Sequence, residues 1–361
     1  ALFERHGIVR ALRIDASTLC NFLRALSEGY NDVPYHCSAH AACVAHGLHY
    51  LLAVRTELFQ LWRGEPLELV APLFAALVHD LGHTGQNNAF HVATSSGLAL
   101  RCSDQSVLEY HHLASAWSIL GKSECALLKN AEPDFKRRMR QEVVGMVLAT
   151  DLAVSIGTIN QFKAMLADQG AAAAAAAFSP DLKRKSRAVH FNAAEPPRRK
   201  TGIFGLGNAL ASLMEAFADP ERGNSDDKGG GRKEPTRSTR IDLLALKYER
   251  IQVLKMALKV ADIGNVTKGK SYAIEWTERV TAEFFLQGDL EKKLGCAVTP
   301  MMDRGRACVA KQQLGFYMWV VRPMLEAFDL LVPMDEQRVN LDVMHAHWKS
   351  LLPPEPEATR L

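Results

Sequence analysis

Three ionisable side chains crowd into His79-Asp80-Leu81-Gly82-His83, directly after the apolar run Leu69, Val70, Leu73, Phe74, Leu77 and Val78. The spacing of that run predicts a buried helix. Charged groups at the end of a buried helix are costly unless they are paired or bound to a metal. Any fold for this chain must therefore bring compensating groups to this point. Continuing the helix through the motif would put His79 and His83 on one face, one turn apart. Asp80 would then be rotated by about 100° from His79.

Compensating groups occur far away in the chain. Tyr35-His36-Cys37-Ser38-Ala39-His40 again spaces two histidines at i and i+4. On one helix this would present both side chains together. Asp262 ends a second apolar run, Val253, Leu254, Met256, Ala257 and Val260, and is followed by Asn265. Imidazoles and carboxylates arriving on separate helices make a nitrogen–oxygen donor set that suits zinc. A carboxylate-and-water site beside it suits magnesium or manganese.

Of 361 residues, 48% are hydrophobic, enough for a large core. The net charge of +3 gives no broad electrostatic footprint for nucleic acid. Seven cysteines, none in a Cys-x-x-Cys pair, read as free thiols in a reducing compartment, so the expected location is the cytoplasm. No apolar stretch reaches the roughly 18 residues of a membrane span, and the N-terminus does not resemble a secretory signal.

Helical periodicity dominates from Ser17 to Asp168 and from Ile241 to Trp348, with no convincing strand pattern. The fold class predicted is all-α. Residues 1–361 read as a single domain carrying an insert at 170–239. That insert begins with the alanines Ala171 to Ala177 and continues through basic, proline-rich and glycine-rich stretches, the composition of a flexible segment. Within it Ile203, Leu206, Leu210, Leu213, Met214 and Phe217 mark a candidate amphipathic helix over 202–217.

The run from His79 to Phe90 resembles the twelve-residue signature of the class I cyclic nucleotide phosphodiesterases. The likeness continues in order through Tyr35-His36, His40-Ala41, Ser106 to His112, Ala149-Thr150-Asp151, Ala261-Asp262, Asn265, Glu283-Phe284-Phe285, Gln287-Gly288-Asp289 and Gln313 to Phe316. It spans nearly the whole chain outside the insert, with the nearest members expected among trypanosomatid enzymes. The resemblance implies a compact multi-helix catalytic domain built around a His-Asp metal site. The implied activity is hydrolysis of cAMP, with cGMP open, to the 5′-monophosphate.

By the same resemblance His40, His79, Asp80 and Asp262 hold zinc. Asp80 bridges to magnesium or manganese, whose waters are held by His83, Glu109 and Thr150. A hydroxide shared by the two ions would attack phosphorus, and His36 would protonate the leaving oxygen. Gln313 would pair with the purine edge, and Phe316 with Val280 would clamp the ring. Asn265, Phe284, Tyr35 and Leu152 complete the expected substrate pocket. The cyclic nucleotide is the expected partner, with regulatory domains or a homodimer open and no nucleic acid or membrane span.

Cys37 and Cys43 depart from the family, which commonly has asparagine and aspartate at these positions, and Ala273 replaces a larger aromatic residue found in some cAMP-specific members. Two other readings therefore stay open. One is a generic His-Asp phosphohydrolase, which has no need of a purine clamp. The other is a catalytically silent cyclic-nucleotide sensor.

Overall fold

The structure, a computed structural model, describes residues 1–55, 58, 65–178 and 249–352, and all regular structure among them is helical. In chain order the helices are α1 Leu2–Arg5, α2 Ile8–Ala11, α3 Ala16–Gly29, α4 Ser38–His49, α5 Val70–Val78, α6 Asn88–Ala93, α7 Gly97–Cys102 and α8 Val107–Leu120. They continue with α9 Pro133–Leu148, α10 Ser155–Phe178, α11 Arg250–Asp262, α12 Lys270–Lys293, α13 Val309–Phe316, α14 Arg322–Asp329 and α15 Asp335–Ser350. The backbone of α10 runs through the alanine tract. The rest of the insert, including the expected helix over 202–217, lies outside the described residues.

The core forms around α5, where every residue except Leu77 is buried. A helix that is apolar all round belongs inside a protein. Phe74 anchors it, stacked between Phe22 at 5.7 Å and Trp117 at 5.5 Å. Helices α4, α9 and α11 pack around α5, and α11 also packs on α4 and on α9. No single described helix is long and apolar enough to cross a membrane.

Two expectations about local structure are corrected. Helix α5 does not run through the histidine motif; it ends at Val78, with His79 as its C-cap. Gly82 explains the stop: its φ is +74°, and a Cβ there would meet His111 Nε2 at 3.0 Å. Only glycine takes that left-handed turn without strain. His79 and His83 therefore point into different clusters instead of sharing a helix face. Similarly, α4 begins at Ser38, after the extended N-cap Cys37 (φ −103°, ψ 176°). His36 stands in the turn ahead of the helix, and only His40 is helical. Long-range bonds hold this turn: the backbone N–H groups of Tyr35 and His36 both donate to Glu283 Oε2, at 2.9 and 3.2 Å.

Candidate metal centre and substrate pocket

The helix ends decide where the centre forms. His79 and Asp80 follow the C-terminus of α5, Asp262 is the last residue of α11, and Thr150 follows the C-terminus of α9. Helix C-termini carry unpaired carbonyls and partial negative charge, which favours cations. His40 joins them from the first turn of α4 and is fully buried.

Four ligand atoms meet here. His40 Nε2 lies 3.1 Å from Asp262 Oδ1 and 3.4 Å from Asp80 Oδ2, while His79 Nε2 lies 3.0 Å from Asp80 Oδ2 and 3.3 Å from Asp262 Oδ1. All four lie within 4.8 Å of one another. His79 donates its other ring N–H, at Nδ1, to the Ala76 carbonyl at 3.0 Å, which turns Nε2 inward to the carboxylates. Yet His79 Nε2 is buried and makes no directed hydrogen bond. Bonds of 2.0–2.1 Å in a tetrahedral zinc site put neighbouring ligand atoms about 3.3 Å apart. The spacing, the donor chemistry and the orphaned nitrogen all fit a zinc-like ion. Burial lowers the His79 pKa, but Asp80 and Asp262 outweigh it and hold the ring well above its ordinary value. The same imidazoles hold both carboxylates well below theirs against the effect of burial.

Beside this cluster His36, His83 and Glu283 form a second group. His36 Nδ1 is 2.5 Å from Glu283 Oε1. The His36 and His83 rings stack with centroids 3.9 Å apart, 19° from parallel. Two imidazoles at this distance do not both carry charge. Burial lowers the pKa of His36, but Asp80 and Glu283 prevail and raise it. His83 is pushed well below its ordinary value by burial and by His36. His83 Nδ1 accepts from the Gly85 N–H at 3.0 Å, consistent with a neutral ring. Sequence reasoning carried Glu283 only as part of a motif. Its partners lie about 250 positions away, and no local pattern reveals them.

Both groups open into a cleft of about 310 Å³, a size suited to a small ligand. His83, Glu109 and Thr150 line it, together with His112 and Asp151. Burial and nearby Asp151 push Glu109 up to about 7, although Asn88 Nδ2 donates to it at 3.0 Å. Burial likewise pushes His112 down to about 4; its Nδ1 bonds the Leu81 carbonyl at 2.8 Å.

The opposite wall comes from α12 and α13. Val280, Phe284, Gln313 and Phe316 all line the cleft, and Gln313 Oε1 is buried with no partner. Leu152 stands at the rim, 46% exposed. Asn265 is buried; its amide lies 3.2 Å from the Tyr35 hydroxyl and 3.4 Å from His40 Nδ1. Trp276, which the motifs did not flag, packs its ring against Tyr35 and His40 at 5.4 and 5.7 Å. Cys43, where the family commonly has aspartate, accepts a hydrogen bond from the Tyr272 hydroxyl at 2.9 Å, outside the metal cluster.

Comparison with known proteins agrees with this architecture. The pattern of the 3′5′-cyclic nucleotide phosphodiesterase family matches residues 35–341. A probable 3′,5′-cyclic-AMP phosphodiesterase, pde-4 of Caenorhabditis elegans, is 29% identical over 100% of this chain and 44% of its own length. The human high affinity cAMP-specific and IBMX-insensitive 3′,5′-cyclic phosphodiesterase 8A is 28% identical over 99% of this chain and 37% of its own. The chain thus spans less than half the length of these relatives. The crystal structure of the phosphodiesterase domain of RhoPDE from Salpingoeca rosetta superposes with a TM-score of 0.70 at 26% identity, covering 97% of this chain and 88% of that one. LmjPDEB1, solved with IBMX, shares the fold at TM-score 0.69 and 24% identity, over 97% of this chain and 84% of its own. On the extent of the family match, the chain is a member of the 3′,5′-cyclic nucleotide phosphodiesterase family.

Proposed function

We propose that the chain hydrolyses 3′,5′-cyclic nucleotides to 5′-monophosphates in a metal-dependent reaction, with cAMP the leading substrate. One observation carries the reading: the metal-ligand cluster, a raised-pKa histidine and a glutamine with an unpartnered buried oxygen surround one cleft. A generic phosphohydrolase has no need of the last of these. The names of the relatives, cyclic-AMP phosphodiesterases in worm and human, favour adenine over guanine.

In this reading His40, His79, Asp80 and Asp262 hold zinc. Asp80 would also help hold magnesium or manganese, with His83, Glu109 and Thr150 placed to orient water there. The bound ions supply Lewis-acid polarisation of the phosphoryl group and an acidified water. The chain's own residues do the rest. Glu283 holds His36 by Nδ1, leaving Nε2–H to pass a proton to the departing 3′ oxygen. Neutral His83 stacks beneath His36, so the proton stays on the ring that delivers it. Gln313 offers amide donor and acceptor to the base edge, while Val280, Phe284 and Phe316 give the ring an apolar seat. Tyr35 and Asn265 brace His40, and Leu152 borders the entrance. Seven free cysteines fit a reducing compartment, and we place the activity in the cytoplasm.

The test measures turnover of cAMP and cGMP side by side, before and after exhaustive chelation and after restoring zinc with magnesium or manganese. Both the loss of activity on chelation and its return with metal are expected. Full activity in demonstrably metal-free protein would reject the assignment. Bound nucleotide recovered intact in the presence of both metals would favour a sensor.

A further inference from the structure

Helix α11 carries a buried cation one turn before Asp262. Lys259 is 2% exposed, and its Nζ donates to the Ala149 carbonyl at 2.6 Å. Burial pushes its pKa down to about 8, against the pull of Asp262, Asp151 and Glu109. An apolar side chain of similar length would fill this space without that desolvation cost. The amine must therefore supply something packing does not.

Its surroundings show what that is. Ala149 is the C-cap of α9, with an orphan carbonyl that a lysine can satisfy. The next two residues, Thr150 and Asp151, line the cleft. Thr150 Oγ1 donates back to the Val147 carbonyl at 2.7 Å. Asp151 accepts from Ser106 Oγ at 2.9 Å and from the Ala153 N–H at 2.8 Å. Local bonds thus shape the turn and Ser106 ties it to α8, while Lys259 ties it to α11, the helix that presents Asp262.

We propose that Lys259 is a positioning residue: it sets the Thr150–Asp151 turn relative to Asp262 and thereby tunes cation affinity on the Glu109 and Thr150 side of the centre. The inference rests on the metal-dependent reading above. Its sign separates it from simple charge effects. Loss of a nearby positive charge alone tightens cation binding; loss of a positioning tie weakens it.

Purified metal-free protein is titrated with Mn²⁺, and free Mn²⁺ is followed by electron paramagnetic resonance, which needs no turnover. Lys259→Met is expected to weaken Mn²⁺ binding about tenfold, as losses of supporting groups around metal sites do, with Lys259→Arg recovering most of it. Excess Mn²⁺ then restores kcat with cAMP, and KM for the nucleotide is unchanged. Unaltered or tighter Mn²⁺ binding in Lys259→Met overturns the proposal. Should that variant fail to fold, Lys259→Gln, which keeps a shorter donor, carries the same two outcomes. If the parent protein binds Mn²⁺ but hydrolyses no cyclic nucleotide, the proposed function fails while the binding comparison still decides the role of Lys259.

Discussion

The stacked pair His36 and His83 shows how single residues divide the work of the cleft. Both are imidazoles, yet Glu283 and the carboxylates favour charge on one, while burial and that charge deny it to the other. A proton donor must be protonated to act, so the raised pKa of His36 extends activity toward alkaline pH. Glu283→Gln removes part of what raises it. The alkaline limb of the kcat profile should then move down by about one pH unit, the usual scale for losing one adjacent charge. Recording pH–rate profiles for both proteins checks this; a uniform loss at every pH, with the limb unmoved, would reduce Glu283 to a backbone anchor. Gln313 makes a separate prediction. Its orphaned Oε1 is buried without a partner until a ligand provides one. Gln313→Ala should raise KM for cAMP about tenfold, the scale of one or two lost buried hydrogen bonds, and leave Mn²⁺ affinity untouched. Steady-state kinetics and metal titration on the same preparation separate the two.

Among the elements, α12 organises the pocket wall through a glycine. A Cβ at Gly288 would sit 1.9 Å from the Met302 carbonyl oxygen, a separation no side chain can occupy. The 294–308 connection therefore packs directly on the α12 backbone. Buried Glu291 pins it by accepting from Thr299 N–H and Oγ1, each at 2.6 Å. Met301 and Met302 are thereby carried into the cleft. Gly288→Ala must push this connection away, at about 1–3 kcal/mol as for other overpacked sites. The expected result is a lower thermal midpoint and a raised nucleotide KM with unchanged metal binding, measured by calorimetry and kinetics. This element also marks what sequence could reveal. Helical periodicity made the all-α architecture readable, because it is a local pattern, while the candidate ligands His40, His79, Asp80 and Asp262 came together only through the resemblance, since they lie on distant segments. The end of α5 at Val78 was not readable from apolar spacing, which continues smoothly to the histidines; the chain turns instead at Gly82, whose φ is left-handed and where the His111 ring leaves no room for a Cβ. The start of α4 was missed for the opposite reason. The bonds that hold Tyr35 and His36 out of the helix come from Glu283, a distant partner. Lys259 carries no local signal of its role, since its acceptor lies 110 positions away.

Taken as a whole, the molecule concentrates its unfavourable charge where four helices meet. Helices α4, α5 and α11 each bring candidate ligands to this point, at or just beyond a helix end, and α9 brings Thr150 beside it, while all four helices contribute side chains to one apolar cluster. Without a cation, the His-Asp contacts must hold this junction together despite the desolvation of two carboxylates and two imidazoles. An ion that binds only this folded arrangement stabilises the whole fold by mass action. At free metal a thousandfold above Kd that linkage is about 4 kcal/mol. For a chain of this size the corresponding rise in Tm is roughly 5–10 °C. Calorimetry of chelator-stripped protein, after the chelator is dialysed away, should show the lower midpoint, and added zinc should restore it. His79→Ala takes away the ligand with the orphaned nitrogen, so its Tm should respond only weakly to zinc. A midpoint that ignores zinc in the parent protein would mean that the junction does not bind the ion, whatever the side-chain geometry suggests.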